Sequence, residues 1–157
     1  MGLDQYLYAN KNIGSAEWRG AEENKQFSEV LNAMNATRMI EKTDLPHANI
    51  SIEVAYWRKA NQIHGWFVKN VQDGDDDCRE YYVDRDQVRA LLTTCQAVMQ
   101  DRSKAETLLP PTQGFFFGSD GIDEWYWKDI ENTIDMLSYV LDNVDTNEWS
   151  LYYRSSW

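Results

Sequence analysis

The sequence predicts a mostly helical α+β fold, with three or more helices packed on a small antiparallel sheet. Two observations support this prediction. Apolar residues recur at helical spacing through the middle of the chain, and both ends carry short segments rich in tyrosine or tryptophan, which favour strands. We expect residues 3–9 and 149–157 to be strands that pair with each other. A chain of 157 residues has single-domain size, so residues 1–157 are predicted to form one domain.

The elements of the first half are predicted from the glycine, proline and serine residues that interrupt regular structure and from the spacing of apolar residues. Residues 10–20 are predicted as a loop, residues 21–39 as a helix and residues 43–49 as a connection. The next helix is predicted over residues 52–71. Its core stripe is Ile52, Tyr56, Ala60, Ile63, Phe67 and Val71.

The second half is predicted to hold at least two more helices. Asp84 and Gln87, three residues apart, have the pattern of a capping box, so a helix is predicted to begin there. The last helix is predicted over residues 122–143, with Ser119 or Asp120 as a plain N-cap. Its inward residues are predicted to be Trp127, Ile130, Ile134, Leu137 and Leu141.

The composition argues against several classes of protein. With 15 basic and 26 acidic residues the net charge is −11, which disfavours general binding to nucleic-acid phosphates. The cysteines, Cys78 and Cys95, form no CxxC pair and have no histidine at metal-ligand spacing, so no metal site is predicted. No apolar run reaches membrane length and no signal peptide is evident, so we expect a cytoplasmic protein without membrane contact.

The densest polar and aromatic segment, residues 56–82, is the best candidate for a site. On a helix, Trp57, Asn61 and His64 would form a stripe beside the core stripe, with Arg58 next to it. Such a wall can stack a flat ring and donate hydrogen bonds to an anion. The alternative is that Trp57 and His64 fill the edge of the core while Arg58 stays in solvent.

Two loops complete the set of candidates. The acids at residues 73–77 have part of the spacing of a calcium loop, but a solvated acidic turn is the favoured interpretation. In the segment GFFFGS, three consecutive phenylalanines would alternate faces in a strand, so Phe116 is a candidate ligand wall together with Tyr126. The same phenylalanines are equally compatible with the core. No cofactor is predicted and no catalytic residue is assigned.

Several motifs taken together resemble a family of small phage- and prophage-encoded proteins. They are MGLDQYLYA, EVAYWRKANQIHGWFVKNVQDGDDDCREYYV, LLP, GFFFGS, DEWY and the final YY-x-SSW. The resemblance implies expression in the cytoplasm of a bacterial host. It brings no established catalytic residues, and by analogy it favours binding over catalysis.

The sequence therefore favours a non-enzymatic binding protein that takes a small anionic, nucleotide-like ligand, sequestering it or otherwise countering a host defence. Its ligand-binding residues would be Trp57, Arg58, Asn61, His64, Phe116 and Tyr126. A second hypothesis is an acidic inhibitor that binds a host protein, in one form by imitating DNA. A third is a hydrolase or transferase that uses His64 and nearby acids.

Overall fold

The computed structural model of the protein describes residues 2–16, 18–114 and 117–157. Across these residues the chain forms four strands, five α-helices and two short 3₁₀ turns, Thr37–Ile40 and Arg102–Lys104. The strands and helices are β1 (Asp4–Gly14), α1 (Ala21–Ala33), β2 (His47–Arg58), α2 (Asn61–Asn70), β3 (Tyr81–Val83), α3 (Arg85–Gln100), α4 (Ala105–Leu108), α5 (Glu124–Asn143) and β4 (Ser150–Ser156).

The strands form one antiparallel sheet in the order β2-β1-β4-β3, which confirms the predicted α+β class. The first and last strands are neighbours, so the predicted pairing of the chain ends is also confirmed. In β4, Leu151, Tyr153 and Ser155 are buried. Alternate residues of a strand point to opposite faces, so the residues between them lie on the other face.

The chain divides into two compact units. One contains the residues up to Ala9 together with Ile52–Trp157, and the other is Asn10–Ser51. The smaller unit has its own apolar cluster of Ile13, Phe27 and Leu31. The larger unit is built around a more extensive core, in which the longest helices, α3 and α5, pack on each other. The expectation of a single domain over residues 1–157 stays a prediction.

Helix α3 begins as its sequence predicts. The Asp84 side chain accepts from the Gln87 backbone N–H at 2.7 Å, and the Gln87 side chain accepts from the Asp84 N–H at 3.0 Å. Both bonds satisfy donors that a helix start would otherwise leave open. The buried residues of α3 are Val88, Leu91, Cys95 and Val98.

The predicted helix over residues 52–71 is wrong in its first half. Strand β2 continues to Arg58, and α2 begins only at Asn61. Ala55 and Trp57 are buried while Tyr56 is exposed, which is the period of two expected for a strand with one buried face. Two members of the predicted core stripe, Ile52 and Tyr56, are therefore exposed, whereas Ala60, Ile63 and Phe67 are buried.

Smaller differences concern element boundaries. Part of the predicted loop over residues 10–20 belongs to β1, and part of the predicted connection over residues 43–49 belongs to β2. Helix α1 ends at Ala33 rather than at Met39. The buried side of α5 lies partly one position from the predicted one, on Tyr126, Ile130, Thr133, Leu137 and Val140.

The two cysteines are free thiols. Burial raises the pKa of the Cys95 thiol to about 12, so this side chain packs as an apolar group and is not a nucleophile at neutral pH. Among the described residues, no helix combines the length and the apolar character that a membrane span needs.

Candidate functional site

The turn between β2 and α2 is the structural centre of the candidate site. Lys59, at its tip, has φ +60°, a left-handed conformation that a residue with a side chain rarely adopts. Its backbone is held on both sides: the Lys59 N–H donates to the Leu3 carbonyl at 2.7 Å, and the Lys59 carbonyl accepts from the Asn61 N–H at 2.9 Å. Strained backbone of this kind persists where surrounding contacts fix it, and it is common at binding sites.

Gly118 packs against this turn. It has φ +90°, and an added Cβ would lie 3.2 Å from the Lys59 Cβ. A larger residue would be strained in its backbone and crowded by Lys59. The glycine therefore permits the segment after Phe117 to approach the turn closely.

The Asn61 side chain fixes the same segment. Its Nδ2 donates to the carbonyls of Phe117, at 3.2 Å, and Ser119, at 2.8 Å, and its Oδ1 accepts from the Thr112 N–H at 2.9 Å. Asn61 is buried, and these three bonds satisfy both the nitrogen and the oxygen of its side-chain amide. The predicted ligand-orienting residue is thus an anchor for the loop that connects α4 and α5.

A cleft of about 340 Å³, here called the Arg58 cleft, opens beside this turn. It is lined by Arg58, Lys59, Asn61, Gln62, Gly118, Ser119, Gly121, Asp123, Trp125, Tyr126 and Asp129. Three of the predicted site residues, Arg58, Asn61 and Tyr126, are therefore brought together. Two cations at the mouth and the indole of Trp125, which is 69% exposed, give the cleft the means to hold an anion and a ring.

The start of α5 forms one wall of the Arg58 cleft. The N-cap is Asp123, not the predicted Ser119 or Asp120, and its carboxylate accepts from the N–H groups of Trp125 and Tyr126 at 3.0 and 3.1 Å. The Tyr126 N–H is the main cause that lowers the pKa of this carboxyl. Because Asp123 already satisfies these donors, the helix start itself is closed to an anion.

Asp129 is the most perturbed acid of the cleft. Burial raises its pKa to about 6, and the negative charge of Asp123 adds to the shift, while hydrogen bonding to Gln62 and the charge of Lys128 oppose it. A carboxyl that gains a proton near pH 6 repels an anion less than a permanently charged acid does. A perturbed acid in a cleft is a recognised sign of a functional site.

Tyr126 contributes its body to the wall rather than its hydroxyl. The hydroxyl donates to the Leu109 carbonyl at 2.8 Å inside the core. Burial is the main reason that the pKa of Tyr126 is raised. Its phenol is therefore a neutral structural donor.

A second and larger cleft of about 880 Å³ lies beside α2 and is here called the Trp157 cleft. It is lined by Gly65, Val68, Lys69, Asp73, Gly74, Asp76, Thr112, Gln113, Gly114, Phe117 and Trp157. Gly65 is required in this wall, because a Cβ there would collide with the Thr112 hydroxyl.

His64 lies behind the Trp157 cleft with no exposed surface. Its Nε2 is 2.9 Å from a carboxylate oxygen of Asp76, and its Nδ1 is 2.8 Å from the Tyr153 hydroxyl. The other oxygen of Asp76 accepts from the Trp157 indole N–H at 3.0 Å, and the Tyr153 hydroxyl also reaches Gln5 at 3.2 Å. The carboxylate is an acceptor, which assigns a hydrogen to Nε2. Both ring nitrogens are therefore engaged within the protein.

The remaining predicted site residues are placed differently. Trp57 is buried, and its indole N–H donates to the Thr133 hydroxyl at 2.8 Å. Trp57 also lines a further cleft, of about 460 Å³, that shares Arg58, Trp125 and Asp129 with the Arg58 cleft. Phe116 lies outside the described residues.

The acidic turn after α2 acts as a local network. Asp77 pairs with the Arg79 guanidinium and accepts from the Tyr81 hydroxyl at 3.0 Å. In the described parts of the chain, no group of three or more histidine, cysteine or acidic side chains could hold a metal ion.

Sequence reasoning missed Lys59, Gln62, Trp125 and Asp129. The sequence contained a signal for Trp125. It precedes Tyr126 at the start of a predicted helix, and two neighbouring residues of a helix point in different directions, so one of the two rings can be expected to face solvent. The fold and the two clefts define a class no narrower than a small α+β protein with clefts lined by charged and aromatic side chains. No family model, curated protein or solved structure matches the chain.

Proposed function

We propose that the protein binds a small anionic ligand that carries a flat ring, such as a nucleotide, in the Arg58 cleft. The observation that carries the proposal is the convergence of Arg58, Lys59 and the exposed Trp125 on one cleft. Arg58 and Lys59 would hold the anionic group and Trp125 would stack on the ring. The volume of about 340 Å³ is within the range of small-molecule sites.

The pre-formed shape of the cleft supports binding as its role. The loop that forms its far wall is held by the buried Asn61 amide, and the turn that presents the cations is held by backbone hydrogen bonds. A site fixed in this way loses little conformational entropy when a ligand binds. The third hypothesis, catalysis through His64, has less support because the ring is buried and both nitrogens are engaged.

The biological setting of the proposal rests on the resemblance of the sequence motifs to those of small phage- and prophage-encoded proteins. In that setting the protein would act in the cytoplasm of an infected bacterium and sequester a nucleotide-like signal of host defence. Sequestration needs tight binding and no turnover, which agrees with exposed cations on a turn of fixed backbone beside an exposed ring.

Isothermal titration calorimetry against a panel of linear and cyclic nucleotides tests the ligand class. We expect at least one nucleotide to bind, with affinity reduced about tenfold or more by Arg58→Ala and by Trp125→Ala. Lys69→Ala, which removes an exposed cation of the Trp157 cleft, is the matched control and should have no effect. If no nucleotide binds at high micromolar concentration, or only Lys69→Ala weakens binding, the assignment to the Arg58 cleft is wrong.

A further inference from the structure

The sheet of the larger unit has one face that is rich in tyrosine. Leu7, Tyr153 and Trp57 are buried on the inner side, and the residues between them along each strand lie on the outer side. The outer side carries five tyrosines, here called the tyrosine face: Tyr6, Tyr8, Tyr56, Tyr82 and Tyr152.

The five rings form two neighbouring groups. Tyr6 stacks on Tyr8, with ring centroids 5.8 Å apart, and contacts Tyr56 at 5.4 Å. Tyr82 is paired with Tyr152 in the register of β3 and β4, and their rings meet edge to face at 5.8 Å. All five rings are exposed or half-buried, and Tyr82 reaches 59% exposure. The result is a broad aromatic surface in which each ring is held by a neighbour.

The charges around the tyrosine face are mixed, with acids in excess. Asp4 lies 3.8 Å from Arg58 and accepts from the Tyr56 hydroxyl, so this acid and this cation offset each other. Glu53 and Glu80 both act to raise the pKa of Tyr8, which burial raises most, and Arg154 opposes them. In the larger unit as a whole, acidic residues outnumber basic ones two to one.

We propose that the tyrosine face is a docking surface for an arginine-rich segment of another protein. A guanidinium group stacks on the face of a tyrosine ring and donates to carboxylates at its edge, and this surface offers both. Tyrosine is enriched at protein interfaces because it supplies a large contact area with few torsions to fix. The acidic surroundings speed the approach of a basic partner and repel phosphates, which favours a basic protein segment over nucleic acid.

The docking contacts come from the tyrosine rings and the acids beside them, whereas the nucleotide proposal uses Arg58, Lys59 and Trp125. The two surfaces meet at Arg58, which lies 3.8 Å from Asp4. It locates the second sequence hypothesis, a protein that binds a host factor, on a defined surface. It also differs from imitation of DNA, because the contacts come from aromatic rings more than from a regular row of acids.

Fluorescence anisotropy with labelled repeat peptides tests the docking surface on the full chain. The probes are an arginine–glycine peptide, a lysine–glycine peptide of the same length and a glutamate–glycine peptide. We expect the arginine peptide to bind about threefold or more tighter than the lysine peptide, because guanidinium stacks better than ammonium. The glutamate peptide should not bind.

Variants then separate ring contacts from general charge. Tyr8→Ala and Tyr152→Ala should each weaken the arginine peptide about fivefold or more, whereas Tyr139→Ala, a 69% exposed tyrosine on α5, should not. The double variant Glu53→Gln with Glu80→Gln keeps the rings and should weaken binding of the arginine peptide at low salt. The difference from the native protein should become smaller as the salt concentration is raised.

Three results would overturn the proposal. The first is equal binding of arginine and lysine peptides with no effect of the tyrosine variants, which would mean general electrostatic attraction. The second is tight binding of a single-stranded oligonucleotide that Tyr8→Ala abolishes. The third is a dimer in sedimentation experiments that Tyr152→Ala dissociates, because the face would then be an interface between copies of this chain.

Discussion

The Arg58 cleft and the Trp157 cleft differ in what their charged groups are free to do. The Trp157 cleft is more than twice as large, yet both oxygens of its Asp76 are already bonded to His64 and Trp157. In the smaller Arg58 cleft, the cations Arg58 and Lys59 are exposed, and Arg58 lies 3.8 Å from the Asp4 carboxylate. Volume alone would therefore select the cleft in which the Asp76 carboxylate is saturated, whereas a pair of adjacent exposed cations selects the smaller cleft.

The buried network behind the Trp157 cleft should matter for stability more than for binding. His64→Ala removes two hydrogen bonds and the edge contact with Phe117, and it leaves the fully buried Tyr153 hydroxyl with one partner fewer. We expect a loss of about 3 kcal/mol in the free energy of unfolding, measured by urea denaturation. Nucleotide affinity in the Arg58 cleft should not change in the folded fraction.

The other histidine provides the control for this prediction. His47 is exposed, and its ring nitrogen Nδ1 makes a long contact of 3.5 Å with the Leu45 carbonyl. His47→Ala should change the free energy of unfolding by less than about 0.5 kcal/mol. Equal effects of the two substitutions would mean that the His64 network is not a stabilising core of the protein, and that the contrast between the clefts is wrong.

Asn61 links the two clefts, so its removal should affect both. Its amide bonds Thr112 and Phe117, which line the Trp157 cleft, and Ser119, which lines the Arg58 cleft. Asn61→Ala leaves three backbone groups without this partner, and we expect a loss of about 2 kcal/mol in stability. Unlike His64→Ala, it should also weaken nucleotide binding, because the wall of the Arg58 cleft loses its anchor.

Asn70→Ala is the matched control for Asn61. The Asn70 side chain is exposed and donates to the Trp66 carbonyl, one turn earlier on α2. This substitution should leave both stability and calorimetric affinity nearly unchanged. If Asn61→Ala lowers stability without any change in nucleotide affinity, the loop it holds is not part of the binding site.

The sequence was informative where the signals were local. The capping box at Asp84 and Gln87 and the strand character of both ends needed no distant partner to be recognised. Residues 52–58 misled because the buried stripe of Ala60, just before α2, and of Ile63 and Phe67 within it extends backward at helical spacing to Tyr56 and Ile52. The competing pattern was a period of two, in which Ala55 and Trp57 are buried and Tyr56 and Arg58 are exposed, and tertiary burial decided between the two patterns.

The predicted site residues also differ in whether local sequence signals or tertiary burial decides their position. Arg58 and Tyr126 do line one cleft, and Asn61 borders it, as a shared site requires. His64 and Trp57 are buried because their polar atoms find partners in β4 and α5, namely Tyr153 and Thr133, that are distant in the sequence. The role of Asp129 depends on burial by the folded chain, so no spacing rule could have identified it.

The smallest expected effect is a dependence of stability and affinity on pH that originates at Asp129. Burial raises the pKa of this carboxyl to about 6 from an ordinary value near 3.8, so the folded state holds the proton more tightly than the unfolded state. Stability should therefore fall as pH rises from about 4 to about 6, and Asp129→Asn should remove this dependence. Allowing for partial solvent screening, we expect a change of about 1 kcal/mol, measured by urea denaturation across this pH range. Asp135→Asn, which changes an exposed acid on the same helix, should leave the dependence in place.

Ionised Asp129 also faces the anion site, so nucleotide affinity should be higher at pH 5.5 than at pH 7.5 in the native protein and nearly constant in Asp129→Asn. An equal pH dependence in both proteins would mean that Asp129 is not its source and would remove Asp129 from the Arg58 cleft.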